Sequence, residues 1–227
     1  MAILSYFFYM NLALPLLLIL APLKITQVRC SDPGPLQDFC VADTTSKLFL
    51  NGFPCKDPST VMASQFKTSA LGVPGNTSAN PFGFNVTLTT AKNLPGLNTQ
   101  GMAIARIDFA KGGVVPPHIH PRASEITFVV KGQLVVGFVD TSNKLFTQNL
   151  EAGDVFVFPR AQLHFLFNVG KSTALAISGL NSQNPGAQVM PLALFGSKPE
   201  IFPAVLKKAF KISSEEVEKI RKNLIGG

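Results

Sequence analysis

Three histidines and one glutamate have the types and the spacing of a metal site. His118 and His120 are two residues apart behind a pair of prolines, and in an extended segment residues i and i+2 project to the same face. Glu125 opens the next strand-like segment, so a tight bend before it would bring its carboxylate beside the two imidazoles. His164 heads a later strand-like segment. Together these side chains offer three nitrogens and one oxygen to a common point.

Three neutral imidazoles and one carboxylate suit a divalent first-row metal such as manganese, iron or nickel. Octahedral geometry would leave two positions open for water or substrate, whereas zinc would more often be tetrahedral and saturated by these four ligands. The alternative is that each histidine is an ordinary core or surface residue bonded to the backbone. That alternative suits a single histidine, but the chain has three in all, and their placement on strand faces with Glu125 favours the metal site.

The segments that must position these residues have the composition of β-strands. The chain has 18 Gly and 17 Pro, 46% hydrophobic residues with 19 Phe, and only 15% charged residues, which favours short strands and tight turns around a substantial core. We therefore predict an all-β, compact antiparallel sandwich or barrel. Six strands are expected, at residues 102–109, 125–130, 133–139, 154–158, 164–169 and 174–179.

The flanking regions differ from this core. Residues 31–100 are punctuated by Pro, Gly and Asn and predict an irregular N-terminal arm that wraps the core. The barrel core is expected over 101–198, followed by C-terminal helices over 199–227. Ser213 and Glu216 form a capping box ahead of an apolar helical stripe, and another helix is predicted across 201–210. That stripe must pack on the barrel or on a neighbouring subunit.

Residues 1–30 predict a signal peptide. The chain is almost wholly apolar from Met1 to Leu23, Val28 and Cys30 suit cleavage before Ser31, and a turn-rich stretch follows. A retained membrane anchor is the alternative, because no positive charge precedes the apolar run. Two of the 20 basic residues lie in this leader, which leaves 18 basic against 13 acidic residues, a net charge of +5.

This mildly basic charge is that of a solvated surface, and it could also concentrate small anions or acidic cell-wall polymers. The Lys and Arg residues are scattered and do not alternate with aromatics, so nucleic-acid binding is not expected.

Cysteines and sequons agree with secretion. Loss of Cys30 with the leader leaves Cys40 and Cys55, which can form a disulfide worth about 3 kcal/mol in the loop-entropy model or remain as two buried thiols, the less favoured state in an oxidising compartment. Asn76 and Asn85 each begin an Asn-X-Thr or Asn-X-Ser sequon in a turn-rich stretch, and both are candidate glycosylation sites.

Two motifs resemble those of the germins, a family within the cupin superfamily. One is Gly112-x5-His118-x-His120-x4-Glu125-x6-Gly132, and the other is Gly153-x5-Pro159-x4-His164-x3-Asn168. The segments PLQDFCVAD at 35–43 and NSQNPG at 181–186 also resemble germin segments.

The resemblance covers essentially the whole mature chain. It implies a jelly-roll β-barrel, a secreted protein of the apoplast or cell wall, and a homohexamer, a trimer of dimers locked by the arm and the terminal helices. It also implies that Cys40 pairs with Cys55, and that manganese is the cofactor, held by His118, His120, Glu125 and His164. One departure is Ala161, where the second motif usually has Gly; a positive φ there would cost some strain.

The same resemblance implies several activities, because the family includes manganese oxalate oxidases, manganese superoxide dismutases and proteins of no settled activity. By this resemblance, two asparagines hold the substrate in the oxalate oxidases of the family, and the corresponding positions here are Ala105 and Val115. Neither side chain can donate a hydrogen bond, which disfavours oxalate. Superoxide dismutation needs only a redox metal, an open position and anion access, so we expect a dismutase that produces hydrogen peroxide.

Two alternatives come from other classes. In one, the chain is a binding or wall-structural protein whose metal mainly stabilises the fold. In the other, it is an oxidase of a larger organic substrate, bound in an apolar lumen with candidate lining residues Val115, Phe128, Phe165 and Phe167.

Overall fold

A computed structural model describes residues 36–48 and 50–225. The expected leader over residues 1–30 lies outside the described residues. None of the helices in the described part of the chain is both long enough and apolar enough to cross a membrane.

In the described residues, ten strands form two five-stranded sheets, as the all-β prediction required. All pairings between them are antiparallel. The first sheet has the order β1-β2-β9-β4-β7 and the second the order β10-β3-β8-β5-β6. The strands are β1 Phe84–Leu88, β2 Ala103–Phe109, β3 Val114–Ile119, β4 Glu125–Lys131, β5 Gln133–Val139, β6 Leu145–Glu151, β7 Val155–Phe158, β8 Leu163–Asn168, β9 Ala174–Leu180 and β10 Gln188–Val189.

The main core lies between the sheets because strands from both bury alternate side chains there. In β9, for example, Ala174, Ala176, Ser178 and Leu180 are buried and the residues between them are more exposed. The same period of two places Glu125, Thr127 and Val129 of β4 inside. The large buried side chains of this core are Ile107, Phe109, Val115, Val129, Leu134, Val136, Leu150, Phe158 and Leu166.

All six predicted strands are present, with bounds within one residue or so, but the prediction omitted others. Strand β1 lies inside the segment expected to be irregular, where it pairs with β2 along its whole length. Strand β6 has mostly exposed side chains, Leu150 being the buried one, so its sequence carries little apolar signal. Its backbone is stabilised by full-length pairing with β5.

Outside β1, the described residues of the arm form turns and four 3-10 helices, at 58–60, 63–66, 70–72 and 95–97. Cys40 and Cys55 form the disulfide that the resemblance implied. Beside it, the Lys56 amide donates to the Val41 carbonyl, at 2.9 Å, and the Asp43 amide donates to the Pro54 carbonyl, at 2.8 Å. The cross-link therefore joins two backbone segments that are already paired.

After β10, the part of the chain that the structure describes contains three α-helices: α1 Met190–Phe195, α2 Pro203–Phe210 and α3 Ser214–Ile225. The predicted capping box is present, since the Ser213 amide donates to Glu216 Oε2 at 2.7 Å and the Glu216 amide donates to Ser213 Oγ at 3.2 Å. The helix α1 was not expected. The apolar stripe packs largely within the helical segment itself, in a cluster of Phe195, Leu206 and Val217 with Leu194, Ile201, Ile212, Ile220 and Leu224 around it.

The turn between β7 and β8 holds the one departure noted in the motifs. Ala161 has a φ of 58°, the left-handed region that costs a residue with a Cβ about 1 kcal/mol. Its amide donates to the His120 carbonyl at 3.2 Å, and the next amide, of Gln162, donates to the Pro159 carbonyl, also at 3.2 Å. These bonds hold the turn in place despite the strain.

Replacing Ala161 by Gly should raise the free energy of unfolding by roughly 0.5 to 1 kcal/mol, because relief of the strained φ exceeds the extra unfolded-state entropy of glycine. Denaturant unfolding of the disulfide-intact protein measures the change. Ala152→Gly, in the turn after β6, is the comparison and should destabilise or leave stability unchanged. A stability loss in Ala161→Gly would show that the left-handed residue is not strained.

Candidate metal centre

The four residues predicted to form a site meet between the two sheets. Their ligating atoms all lie within 4.8 Å of one another. His118 on β3 is directly paired with His164 on β8, with ring centroids 4.0 Å apart. Glu125 begins β4 in the opposite sheet, and His120 directly follows the end of β3. The site is therefore built by two adjacent strands of one sheet facing the first residue of a strand in the other.

Each imidazole is oriented by a backbone carbonyl. His118 Nδ1 lies 2.9 Å from the Pro116 carbonyl oxygen and His164 Nδ1 lies 2.8 Å from that of Gln162. His120 Nδ1 contacts the carbonyl oxygen of Gly186. Because a carbonyl can only accept, each Nδ1 carries the proton and donates it, which leaves each Nε2 lone pair directed into the site.

The carboxylate is held by hydroxyl groups. Thr127 Oγ1 donates to Glu125 Oε1 at 3.0 Å and lies 2.8 Å from Ser178 Oγ. All three side chains are buried. The other oxygen, Glu125 Oε2, lies 2.9 Å from His120 Nε2 and 3.4 Å from His164 Nε2. One carboxylate oxygen is thus fixed by the protein and the other is turned toward the imidazoles.

This donor set fits a cation. With Nδ1 protonated, a neutral imidazole presents Nε2 as an acceptor, and acceptors that face a carboxylate repel one another unless a proton or a metal lies between them. Within the described residues, His164 Nε2 and Glu125 Oε2 are buried and have no hydrogen-bond partner. A divalent cation would satisfy both atoms at once.

The pKa shifts follow from burial and from the mutual contacts. Burial, with help from His164 and His120, lowers the pKa of His118 to about 4, so this ring is neutral near pH 7. Burial also favours the neutral form of His120, but its contact with Glu125 outweighs this and raises its pKa. Burial would raise the pKa of Glu125, yet His120 and His164 hold it well below its ordinary value. The carboxylate stays charged, and without a metal it favours a proton on His120.

An aromatic side chain packs against one of the histidines. The ring of Phe158 stacks on His164 with centroids 4.5 Å apart and an interplanar angle of 27°. Phe158 is fully buried. It is the last residue of β7 and lies opposite Glu125 of the neighbouring strand β4. The buried Phe158 ring therefore backs the His164 ring.

A cavity of about 440 Å³ opens beside the cluster and is bounded by three of its residues, His118, His120 and Glu125. Its wall is otherwise mostly apolar. Ala105 and Val115 both line it, so the two positions that bear on oxalate binding do face the site. The sequence did not indicate two other parts of the wall, which are Phe84, Val86 and Leu88 of β1 and Asn184, Pro185, Gly186, Ala187 and Val189 around β10.

Of the four lumen candidates, only Val115 lines this cavity. Phe128 and Phe167 are 43% and 39% exposed, and Phe165 lies over Gly137 of β5. The prediction for these three was wrong because they alternate with inward residues: Phe128 follows Thr127, and His164 and Leu166 are buried on either side of Phe165. They lie on the outer faces of their sheets.

The two sequons have different surroundings. Asn76 is exposed, and its Oδ1 accepts hydrogen bonds from the amide and the hydroxyl of Ser78, both at 3.0 Å. Asn85 lies in β1, with its side chain against Gly75, where a Cβ would come within 2.1 Å of Asn85 Oδ1. Glycosylation at both positions stays a prediction, and the exposed Asn76 suits a glycan better.

Comparisons with known proteins give the family. The Cupin family matches residues 69–218. Germin-like protein subfamily 1 member 1 of Arabidopsis thaliana is 52% identical over 221 residues, which cover 96% of this chain and 99% of the relative. The chain belongs to the germin-like family of cupins. Germin-like protein 3-1 of Oryza sativa subsp. japonica is 50% identical, over 92% of this chain and 96% of that one.

A solved structure of oxalate oxidase is also similar to this germin-like chain. It is 47% identical with a TM-score of 0.84, and the match covers 87% of this chain and all of that one. The recognised family and the cupin fold are thereby confirmed. Oxalate oxidation is the activity of that protein, and in this chain Ala105 and Val115 shape the wall next to the site.

In this germin-like chain, Thr127→Val should weaken Mn²⁺ binding about tenfold, because a carboxylate that has lost its hydroxyl donor is no longer held toward the imidazoles. Titration of metal-free protein with Mn²⁺, followed by electron paramagnetic resonance, measures the dissociation constant.

The matched control is Thr89→Val, which changes another fully buried threonine whose hydroxyl donates to the Ile104 carbonyl at 2.8 Å. It should lower stability but leave Mn²⁺ affinity unchanged. Equal affinity losses in both variants would show that Thr127 acts only through general stability.

Proposed function

We propose that this germin-like chain is a secreted, manganese-binding superoxide dismutase that converts two superoxide anions and two protons into dioxygen and hydrogen peroxide. The observation that carries the proposal is the buried cluster of three imidazoles and one carboxylate at the edge of a cavity. The fold and the donor set support a metal site, and the cavity gives a small anion access to it.

The proposed ligands are Nε2 of His118, His120 and His164 and a carboxylate oxygen of Glu125. Manganese held there would supply one-electron redox chemistry. The chain's own part is to turn the rings through their Nδ1 hydrogen bonds so that each Nε2 faces the site, and to keep Glu125 ionised. Three nitrogens and one oxygen leave open positions in an octahedral geometry.

The cavity wall favours a small substrate with few recognition needs. A dicarboxylate such as oxalate requires hydrogen-bond donors that Ala105 and Val115 do not have, and burying its charge without them would be costly. Superoxide is diatomic and singly charged. The net charge of +5 proposed for the mature chain would favour the approach of this anion where the electrostatic field at the cavity mouth has the sign of the net charge.

A second candidate is a manganese-dependent oxidase of an organic substrate. The 440 Å³ cavity is within the range of small-molecule sites and far larger than superoxide needs. Its apolar wall suits an aromatic or aliphatic body, with a polar group toward the cluster. A third possibility is a non-enzymatic role at the cell wall, in which the metal mainly stabilises the barrel.

Secretion to the apoplast is part of the proposal. The Cys40–Cys55 disulfide suits an oxidising compartment, and the apolar stretch before residue 24 suits a signal peptide. The exposed Asn76 suits a glycan, and wall polymers remain candidate partners.

The first experiment is superoxide dismutation by the purified secreted protein, with metal analysis of the same sample. Activity should rise in proportion to manganese content, and chelation should abolish it because the one-electron chemistry requires the metal. His118→Ala should reduce activity at least a hundredfold and lower bound manganese.

Lys92→Ala, a surface change in the arm, is the control and should keep full activity. A manganese-replete protein that dismutates no superoxide would contradict the dismutase proposal. The organic-substrate oxidase would then be tested by hydrogen peroxide release from phenolic compounds, and its absence would favour the non-enzymatic role.

Self-association is also proposed, as a homohexamer built from three dimers. The outer face of the first sheet carries a contiguous apolar patch, in which Ile104, Gly179, Ile126 and Val157 are neighbours across four adjacent strands. Ile126 and Val157 are 49% and 54% exposed. An apolar patch of this kind on a secreted protein suits a protein interface.

The double variant Ile126→Lys, Val157→Lys should therefore lower the assembly size, because burying two charges in an apolar interface is unfavourable. Light scattering coupled to size-exclusion chromatography measures the molar mass. Leu145→Lys on β6, which is 50% exposed in the other sheet, should not change it. An unchanged molar mass in the double variant would exclude this face as an essential interface.

A further inference from the structure

We propose that Arg122 positions His120 by clasping the segment 184–187, here called the strap, so that the Gly186 carbonyl holds the imidazole toward the metal. The inference rests on the metal site proposed above and adds a residue that lies outside the ligand set. Arg122 is exposed and is a positioning residue, since it acts through the strap.

His120 differs from the other two histidines in how its ring is held. His118 and His164 donate to carbonyls two residues earlier in the chain, Pro116 and Gln162, so their orientation follows from their own strands. His120 lies beyond the end of β3 and contacts a carbonyl 66 residues away, that of Gly186. Its orientation therefore depends on whatever keeps Gly186 in place.

Arg122 makes three hydrogen bonds to the strap. Its Nε donates to the Asn184 carbonyl at 2.6 Å, its Nη2 donates to Asn184 Oδ1 at 3.1 Å, and its amide donates to the Pro185 carbonyl at 3.2 Å. The forked guanidinium thus binds the backbone and the side chain of one residue together.

The guanidinium also packs over the glycine itself. A Cβ built on Gly186 would be 2.9 Å from Arg122 Nη2 and 3.3 Å from Pro121 Cδ, and the residue has a φ of 69°. Gly186 therefore combines a left-handed backbone with close cover by Arg122. The carbonyl that His120 uses belongs to the residue that Arg122 covers.

Other contacts hold the residues on either side of the strap, and Arg122 adds its bonds to Asn184 and Pro185. Before it, Ser182 Oγ accepts from the Asn184 amide at 3.1 Å, and Gln183 Oε1 accepts from the Thr99 amide. After it, β10 pairs with β3, with Val189 opposite His118. If these end contacts alone sufficed, Arg122 would be dispensable, and the experiment below separates the two cases.

The test compares Arg122→Gln with Arg160→Gln. Arg160 lies in the turn before β8 and makes no hydrogen bond or ion pair within the described part of the chain, so its replacement removes the same charge near the site without loosening the strap. In metal-free protein, hydrogen–deuterium exchange of a peptide spanning 183–189 should rise at least fivefold in Arg122→Gln only. Mn²⁺ affinity of that variant should fall about tenfold, while Arg160→Gln matches wild type in both measurements.

Coupling to His120 is tested in a His120→Ala background. There, adding Arg122→Gln should change the Mn²⁺ dissociation constant less than twofold, because the ring that Arg122 positions is gone. A tenfold loss in both backgrounds, or no loss in either, would overturn the proposal. Arg122→Lys, which keeps the charge but lacks the fork, should give an intermediate loss and serves as a second variant if Arg122→Gln does not fold.

Failure of the inference can be told apart from failure of the metal site. If wild-type protein binds no Mn²⁺, the proposed function is contradicted, and so is the expected loss of Mn²⁺ affinity in Arg122→Gln. Unchanged exchange in metal-free Arg122→Gln would contradict the clasp even if wild type binds Mn²⁺ tightly.

Discussion

The charge of Glu125 is the constraint around which this site is organised. The carboxylate is almost fully buried, and a buried charge is tolerated only where partners compensate its lost hydration. One oxygen receives a hydrogen bond from Thr127, but the other faces the Nε2 atoms of His120 and His164. These rings carry their proton on Nδ1, where it is donated to a backbone carbonyl. Compensation must then come from a cation, a proton on His120 or a divalent metal. The same burial that makes the carboxylate costly makes the site selective for positive charge.

The fold meets this constraint by dividing the ligands between its two sheets. Pairing of β3 with β8 puts His118 directly opposite His164, and the first residue of β4 brings Glu125 from across the core. These placements follow from strand register, and a slip of one residue would turn the side chains away from the core. His120 is the exception, because it follows β3 and depends on a distant carbonyl. Three of the proposed ligands, His118, Glu125 and His164, are therefore placed by strands. The fourth, His120, is oriented by its contact with the Gly186 carbonyl in a loop.

How far the sequence predicts this arrangement depends on the range of the interactions. Local periodicity was enough for His118, His120 and the strand faces, and the shortage of histidines pointed to His164. Applied consistently, the same rule also places Phe128, Phe165 and Phe167 outside, because they alternate with residues that face the site. By contrast, β6 has too few buried side chains to stand out, and β1 lies in a segment rich in turn formers. The contact between His120 and Gly186 depends on tertiary structure alone, which no local pattern encodes.

The wall of the cavity, more than the ligand set, distinguishes the candidate activities. Three histidines and a glutamate would hold the same metal whether the substrate is superoxide, oxalate or a larger organic molecule. The choice among these depends on groups such as Ala105 and Val115, which offer no hydrogen bonds, and on the strap, whose Asn184 is a polar side chain at the cavity. Since β1 forms another part of this wall, the N-terminal arm takes part in shaping the site as well as wrapping the core. Substrate preference within this fold can therefore change through residues far apart in sequence while the metal ligands stay the same.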